Sequence, residues 1–374
     1  MFGEGDGRLA TVDALIHRLS FWRNELGAGT IHWRMPRTRV PTYFQAARSR
    51  QHWITKCCDL DWDDFSVVPA RAHEAGLKAY LYVSLFDEGW PLASPRIRAK
   101  SYHNAMHGRD VAQQSIFSRT HPEFIVVDQA GRTRQHGVLC LAYPEVRAHL
   151  KKRFLDAISS TQFDGLFICF RSQSKPARFA DQYGFNDPVC RKFYELYGQD
   201  PRKEPFSLIE QWRSLLGDYI TQFLSEISSV LHEDGRRLAV GVARGDILGP
   251  PLGNTELQWS TWITDGLIDE LIVNQNSSQC PSMWHQLWPM HRGVGYIQNY
   301  LDGSDLPLLG DQLEQIYAPV MRESVARLFV AQQWESRSAD KEAKLLAKPV
   351  VSGLVFSSFR FDNPEAIKRN NWYA

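Results

Sequence analysis

The sequence lacks the long apolar runs and the charge imbalance that mark two large classes of protein. None of its stretches reaches the roughly 18 consecutive apolar residues that a membrane-spanning helix needs. The net charge of the 374 residues is +1, so no overall field attracts nucleic acid or an anionic membrane. We therefore expect neither as a partner, and any preference for anions has to be local.

Cysteine is scarce and scattered. There are six cysteines, and none forms a CxxC pair or a Cys/His cluster with the spacing of a zinc site. We therefore predict no structural metal and no cofactor, and we expect Cys169, inside an apolar run, to be a core residue. Residues 1–13 also lack the basic and then apolar pattern of a signal peptide, which leaves the localisation open.

Apolar, β-rich runs instead alternate with amphipathic helical stretches. The runs are residues 30–34, 78–86, 164–171, 237–244, 269–275, 293–300 and 352–360. The helical stretches are residues 12–27, 64–76, 146–160, 208–235 and 312–334. Three of these stretches end on a glycine, namely Gly27, Gly76 and Gly235. A helix that stops at glycine and leads into an apolar strand is typical of a parallel β/α unit.

This alternation predicts an α/β protein with a (β/α)8 TIM barrel. We expect one domain over residues 1–374, with a long insertion near residues 88–140 and no internal repeat. One strand is missing before the helix near Val12. Either it is short and irregular within residues 2–10, or the chain lacks its native beginning. The alternative is a doubly wound open sheet, but no glycine-rich phosphate loop follows a strand to support it.

Four of the seven predicted strands end in arginine: Arg34, Arg171, Arg244 and Arg360. Active sites of barrels lie at the carboxyl ends of the strands, and an unpaired buried guanidinium is costly there. Two interpretations remain open. The arginines pair with neighbouring carboxylates, or two or more of them bind a carboxylate or sulfate of a ligand.

The other residues at the predicted strand ends suit a sugar. Hydrolysis of a glycosidic bond usually needs two carboxylates, and the candidates are Asp87, Glu88, Asp246 and Asp302. Glu270 begins its strand, so a structural role is expected there. Polar and aromatic candidates for binding are Trp90, Asn274, Asn299, Tyr300 and Asp362. His103 and His107 lie four residues apart in the insertion, and one of them could reach over the pocket.

Two segments resemble a known family. Residues 121–168 contain His-Pro-Glu-Phe, then D-x-x-G, a Pro-Glu-Val-Arg helix and an Asp-Gly strand, and residues 183–201 read YGFNDPVCRKFYELYGQDP. The chain is similar to the glycoside-hydrolase-like family ten proteins of bacteria over roughly residues 12–363, most strongly over residues 61–201. The resemblance implies a (β/α)8 barrel that acts on carbohydrate, with export as a further expectation.

The sequence departs from that family at one important place. Many relatives end the Asp-Gly strand with an aspartate that is their expected catalytic acid, whereas this chain has Phe170, Arg171 and Ser172. We therefore expect a glycoside hydrolase for an acidic glycan, uronate-containing or sulfated, whose acid has moved to another strand end. The alternatives are a barrel that binds carbohydrate without catalysis and a lyase on a uronate polymer. The lyase would use Tyr143, Tyr300 or a histidine as its base. The sequence does not determine the oligomeric state.

Overall fold

The structure is a computed structural model. It describes residues 9, 11–35, 42–44, 62–90, 113–170, 183–203, 207–242, 247–249, 253–274, 309–333 and 339–357. No helix in these ranges is long and apolar enough to cross a membrane.

A parallel sheet forms the centre of the fold. Within the described residues it has seven strands, each hydrogen-bonded to the next along the chain. They are β1 (Thr30–Arg34), β2 (Lys78–Ser84), β3 (Gly165–Cys169), β4 (Arg237–Gly241), β5 (Glu270–Val273), β6 (Arg327–Gln333) and β7 (Val351–Ser357).

The strands lie in the sheet in the same order as in the sequence, β1 to β7. A doubly wound sheet reverses its direction at a switch point, and the seven described strands contain no such reversal, so the alternative fold is wrong. Continuous winding in one direction is the topology of a TIM barrel. The fold is therefore α/β and TIM-barrel-like, with seven parallel strands described and the eight-stranded barrel still a prediction.

Helices connect the strands. They are α1 (Val12–Leu26), α2 (Asp64–Glu74), α3 (Pro144–Ser159), α4 (Asp187–Tyr197), α5 (Ile209–Glu233), α6 (Trp259–Thr264), α7 (residues 309–321, with a π-helical segment at Leu313–Tyr317) and α8 (Ala339–Leu346). Local sequence sets the ends of α1: the Thr11 side chain accepts from Ala14 N, and Gly27 is left-handed with φ 61°. The predicted glycine stop at Gly27 is confirmed.

Alternate residues of each strand face the interior of the curled sheet and the helix layer. In β3, Phe167 and Cys169 belong to an interior cluster, whereas Leu166 and Ile168 belong to the larger core beneath the helices. Cys169 is fully buried, as predicted for a core residue. Because both faces are covered, the strands read as continuous apolar runs. The interior cluster consists of Tyr80, Phe167, Cys169, Ala239, Ile272 and Ala331, with Tyr82, Phe329 and Val355 packed against it.

Six of the seven predicted strands are present, and the seventh, residues 293–300, lies outside the described residues. One predicted helix, residues 312–334, is wrong in its second half. The helix ends at Met321, and Arg327–Gln333 forms β6 instead. In that segment Leu328 and Val330 pack under the helices while Phe329 faces the interior, which is the two-residue period of a strand.

Short antiparallel pairings surround the sheet. One small sheet joins Thr42–Phe44, Gln113–Ser115 and Gly89–Trp90, and a second joins Ile125–Val127 to Arg134–Leu139. Ile247–Gly249 pairs with Gly253–Glu256. A short helix, Ile116–Thr120, and a 3-10 turn, Pro122–Phe124, complete the described part of the insertion after β2.

Candidate active site

The carboxyl ends of β1 and β2 bring together two residues that the sequence singles out. Arg34 is the last residue of β1, and Asp87 follows the end of β2 by three residues. Arg34 Nη2 lies 3.6 Å from Asp87 Oδ2, and the two side chains are 20% and 5% exposed. The carboxyl ends of two neighbouring parallel strands therefore hold a carboxylate that is almost removed from water, with a guanidinium beside it.

An aromatic ring also supports Arg34. Its Cζ lies 5.5 Å from the ring centroid of Tyr82, its partner in the register of β1 and β2. This distance allows a cation–π contact. Arg34 thus conforms to the first of the two interpretations, in which an arginine at a strand end pairs with a neighbouring carboxylate.

His32 is an interior residue that the sequence analysis missed. It precedes Arg34 by two residues and faces the same side of β1, and its ring stacks on Phe167 with centroids 4.4 Å apart. The ring of Tyr80 lies 5.8 Å away. Burial lowers the pKa of His32 to about 4, so the imidazole is neutral near pH 7. The sequence did contain a signal for this location, because the two-residue period of a strand places the side chains of His32 and Arg34 on the same face of β1.

Asn274 follows the last residue of β5. It has φ 65°, a left-handed conformation that asparagine tolerates better than most residues. Its Nδ2 donates to Ala331 O of β6 at 3.0 Å, and the residue is 9% exposed. The Asn274 amide therefore ties two strand ends together at the predicted location, and its proposed contact with a sugar remains untested.

Glu88 contacts a different part of the molecule from its neighbour Asp87. Its Oε1 accepts a hydrogen bond from Nη1 of Arg153 on α3. The Glu88 side chain is fully buried and that of Arg153 is 10% exposed. Two adjacent acidic residues therefore have separate partners, one on β1 and one in the helix layer.

Most of the other predicted site residues lie outside the described ranges. Trp90 is the second residue of a two-residue strand. Arg171 comes directly after Phe170, which is fully buried and lies at the carboxyl end of β3. The predicted residues that lie outside the described ranges are His103, His107, Arg171, Arg244, Asp246, Asn299, Tyr300, Asp302, Arg360 and Asp362.

Tyr143 precedes the first turn of α3 and packs on Phe124, with ring centroids 4.8 Å apart. Burial raises the pKa of its phenol, which makes Tyr143 a weaker candidate for the base of a lyase. In the described part of the chain, no three His, Cys, Asp or Glu side chains are grouped so that they could hold a metal ion.

Comparison with known proteins gives relatives by structure alone. No protein-family model and no curated protein matches the sequence. The glycoside hydrolase domain of PgaB (BpsB) from Bordetella bronchiseptica is similar in structure, with a TM-score of 0.53 and 13% sequence identity. The match covers 96% of this chain and 91% of that domain. The chain therefore has a glycoside-hydrolase-like fold.

Two weaker matches are larger proteins. The α-L-fucosidase isoenzyme 2 from Paenibacillus thiaminolyticus has a TM-score of 0.48 and 14% identity, over 94% of this chain and 43% of that one. An α-galactosidase from Geobacillus stearothermophilus has a TM-score of 0.43 and 10% identity, over 97% of this chain and 39% of that one.

Proposed function

We propose that this protein is a glycoside hydrolase and that Asp87 is one of its two catalytic carboxylates. The observation that carries the proposal is the location of Asp87: it follows the carboxyl end of a parallel strand, its side chain is 5% exposed, and its Oδ2 lies 3.6 Å from Arg34 Nη2. Catalytic groups of TIM barrels come from this end of the strands. The fold shared with a glycoside hydrolase domain supports the proposal.

The contact with Arg34 suggests the role of Asp87. The Arg34 guanidinium can hold the Asp87 carboxylate in one orientation, as a nucleophile or base requires, and we assign Asp87 that role. The second carboxylate must then supply the proton to the leaving group. The candidates for it are Asp246, which follows β4 in the sequence, and Asp302, which follows the predicted strand at residues 293–300.

We propose an acidic glycan as the substrate, with uronate or sulfate groups. Arg34 already has a carboxylate partner, so recognition of an anion falls to other arginines. In the sequence, Arg171 and Arg244 come two and three residues after the last residues of β3 and β4, and these two strands are neighbours in the sheet. Guanidinium groups bind carboxylates and sulfates through paired hydrogen bonds. Membership of glycoside-hydrolase-like family ten is part of the proposal and is supported by the sequence segments alone.

The test is hydrolysis of defined oligosaccharides in three groups: sulfated, uronate-containing and neutral. New reducing ends would report hydrolysis, and ultraviolet absorbance would report the unsaturated products of a lyase. We expect Asp87→Asn to lower turnover by about 100-fold or more, as for loss of an acid–base group. The matched control is Asp156→Asn, which alters an exposed ion pair with Lys152 on α3 and should leave turnover unchanged.

Each other outcome identifies an alternative. Full activity of a folded Asp87→Asn variant would remove Asp87 from the mechanism. A rise in melting temperature with a glycan, without release of sugar, would indicate a barrel that only binds carbohydrate. Unsaturated products would indicate a lyase. Hydrolysis of neutral glycans alone would exclude the acidic substrate.

A further inference from the structure

The turn that carries Asp87 is held by its backbone on both sides. Leu85 N donates to a carbonyl of β3 at 3.0 Å. Glu88 N donates to Gly137 O at 3.0 Å, and Glu88 O accepts from Ser115 N at 2.8 Å. Both the N–H and the C=O of Glu88 are therefore hydrogen-bonded. These bonds limit the backbone motion of Asp87, the residue that precedes Glu88.

The Glu88 side chain adds a contact to the helix layer. Its hydrogen bond with Arg153 joins the turn to α3, in a place where neither side chain is more than 10% exposed. Glu88 Oε2 and Arg153 Nε have no hydrogen-bond partner among the described residues. The ion pair is thus buried and only partly satisfied.

Such a pair is a poor means of stabilising a fold. The cost of removing two charges from water can exceed their attraction, and apolar replacements of similar volume are often neutral or stabilising. A rigid guanidinium does, however, fix the direction of the carboxylate that it binds. Asp87 and Glu88 are adjacent, so fixing Glu88 against α3 also restricts the backbone from which the Asp87 side chain extends towards Arg34.

We propose that Glu88 and Arg153 are positioning residues for Asp87, in place of the catalytic role that the sequence predicts for Glu88. They hold the turn so that the Asp87 carboxylate stays beside Arg34. This inference rests on the proposed function for its effect on hydrolysis, since catalysis is sensitive to small displacements of a reacting group. Its effect on the order of the turn does not depend on any substrate.

The test replaces the whole ion pair with apolar side chains, in the double variant Glu88→Met/Arg153→Leu. The matched control is Arg147→Leu/Glu226→Met, which replaces another Arg–Glu pair of α3, with an Nε–Oε1 distance of 2.8 Å. Both variants are compared with the parent in thermal unfolding, in amide hydrogen exchange of residues 85–89, and in kcat and KM on any glycan that the parent hydrolyses.

We expect the melting temperature of the Glu88/Arg153 variant to lie within about 5 °C of that of the parent, since apolar replacement of such a pair is often neutral. Exchange in residues 85–89 should be at least about tenfold faster, because the side-chain anchor of the turn is lost. The kcat should fall about tenfold or more while KM changes little, the pattern of a displaced reacting group. The control should match the parent in exchange and in kcat.

Unchanged exchange or unchanged kcat in the folded Glu88/Arg153 variant would overturn the proposal, and so would equal losses in the control. If the double variant does not fold, Arg153→Lys replaces it, keeping the charge but losing the planar fork. This variant should still lower kcat, and parental kcat would overturn the proposal. If the parent hydrolyses no glycan, the proposed function fails, and the exchange measurement alone decides whether the pair orders the turn.

Discussion

The Tyr80 hydroxyl donates a 2.9 Å hydrogen bond to Glu270, although two strands separate β2 from β5 in the sheet. In a flat sheet these strands would lie about 14 Å apart, at about 4.8 Å per step. The bond therefore crosses the interior of a curled sheet. Arg327 on β6 also donates to Glu270, which is 3% exposed. Glu270 begins β5, as the sequence analysis expected, and its contacts there are structural.

We predict that Tyr80→Phe lowers the free energy of unfolding by about 1–2 kcal/mol, because a buried hydrogen bond to a charged group is lost. A double-mutant cycle with Glu270→Gln should give a coupling energy of about 1 kcal/mol, measured by denaturant unfolding. Additive effects of the two substitutions would contradict a direct interaction across the interior.

His32 should make stability depend on pH. Its pKa is lowered from 6.5 to about 4 by burial, so the unfolded chain binds the proton more tightly than the folded protein. The contribution of neutral His32 to the free energy of unfolding is fully present above pH 6.5. It is lost as the pH falls towards 4, by up to about 3 kcal/mol. Burial also lowers the pKa of His136 and His149, so they act in the same direction.

The variant His32→Phe isolates this contribution, because a phenyl ring can keep the stacking on Phe167 but cannot bind a proton. We expect the free energies of unfolding of parent and variant to diverge as the pH is lowered from 7.5 to 4, in favour of the variant. Parallel curves over this range would show that His32 takes up its proton equally in both states.

A clamp of one histidine and one aspartate recurs at the amino-terminal end of the strands. Asp164 accepts hydrogen bonds from His73 Nε2 at 2.9 Å and from Ala79 N at 2.8 Å. Asp269 accepts from His232 Nε2 at 2.9 Å and from a backbone N–H at 2.8 Å. Each histidine lies near the carboxyl end of its helix, α2 or α5. In both clamps it precedes by six residues the strand residue whose N–H binds the aspartate, Ala79 or Leu238.

We predict that Asp164→Asn and Asp269→Asn each lower the free energy of unfolding by about 1–2 kcal/mol, because charge-assisted hydrogen bonds are weakened. The two losses should add, since the clamps share no partner. Asp156→Asn, on the exposed surface of α3, is the control and should cost less than about 0.5 kcal/mol. Losses no larger than that of the control would show that the clamps do not stabilise the fold.

These clamps show what a search for repeats misses. The two helix ends read HEAG at residues 73–76 and HEDG at residues 232–235, and both lead into a strand. Four letters are too short to be recognised as a repeat without the structure. The strands themselves were predictable, because burial on both faces leaves uninterrupted apolar runs. The strand β6 was not, because no glycine separates it from α7 and its residues continue an apolar helical pattern.

The candidate site was predictable to a similar extent. Arg34 and Asp87 both follow from the rule that functional residues lie at the carboxyl ends of strands. The sequence could not predict that Asp87 and Glu88 have different partners, since the direction of a side chain beyond the strand end depends on the path of the loop. Arg153, which binds Glu88, is 65 residues away in sequence, and nothing local indicates the pairing.

The Asp-Gly pair at the start of β3, Asp164 and Gly165, is part of the family resemblance, yet both residues have structural roles at the amino-terminal end of the sheet. Asp164 forms a clamp, and Gly165 lies against β4. A Cβ at Gly165 would be 2.4 Å from Arg237 O, a backbone atom that cannot move without disturbing the sheet. This pair therefore indicates the fold. It gives no information about catalysis, because the candidate site lies at the carboxyl ends of the strands.

We predict that Gly165→Ala lowers the free energy of unfolding by about 2–3 kcal/mol, because the added methyl group forces β3 and β4 apart. Gly29→Ala is the matched control: it precedes β1, and a Cβ there meets nothing within 4 Å. The control should be neutral or slightly stabilising, since alanine restricts the unfolded chain. Denaturant unfolding of both variants measures the difference. A Gly165→Ala variant as stable as the control would mean that β3 and β4 pack less closely than the structure indicates.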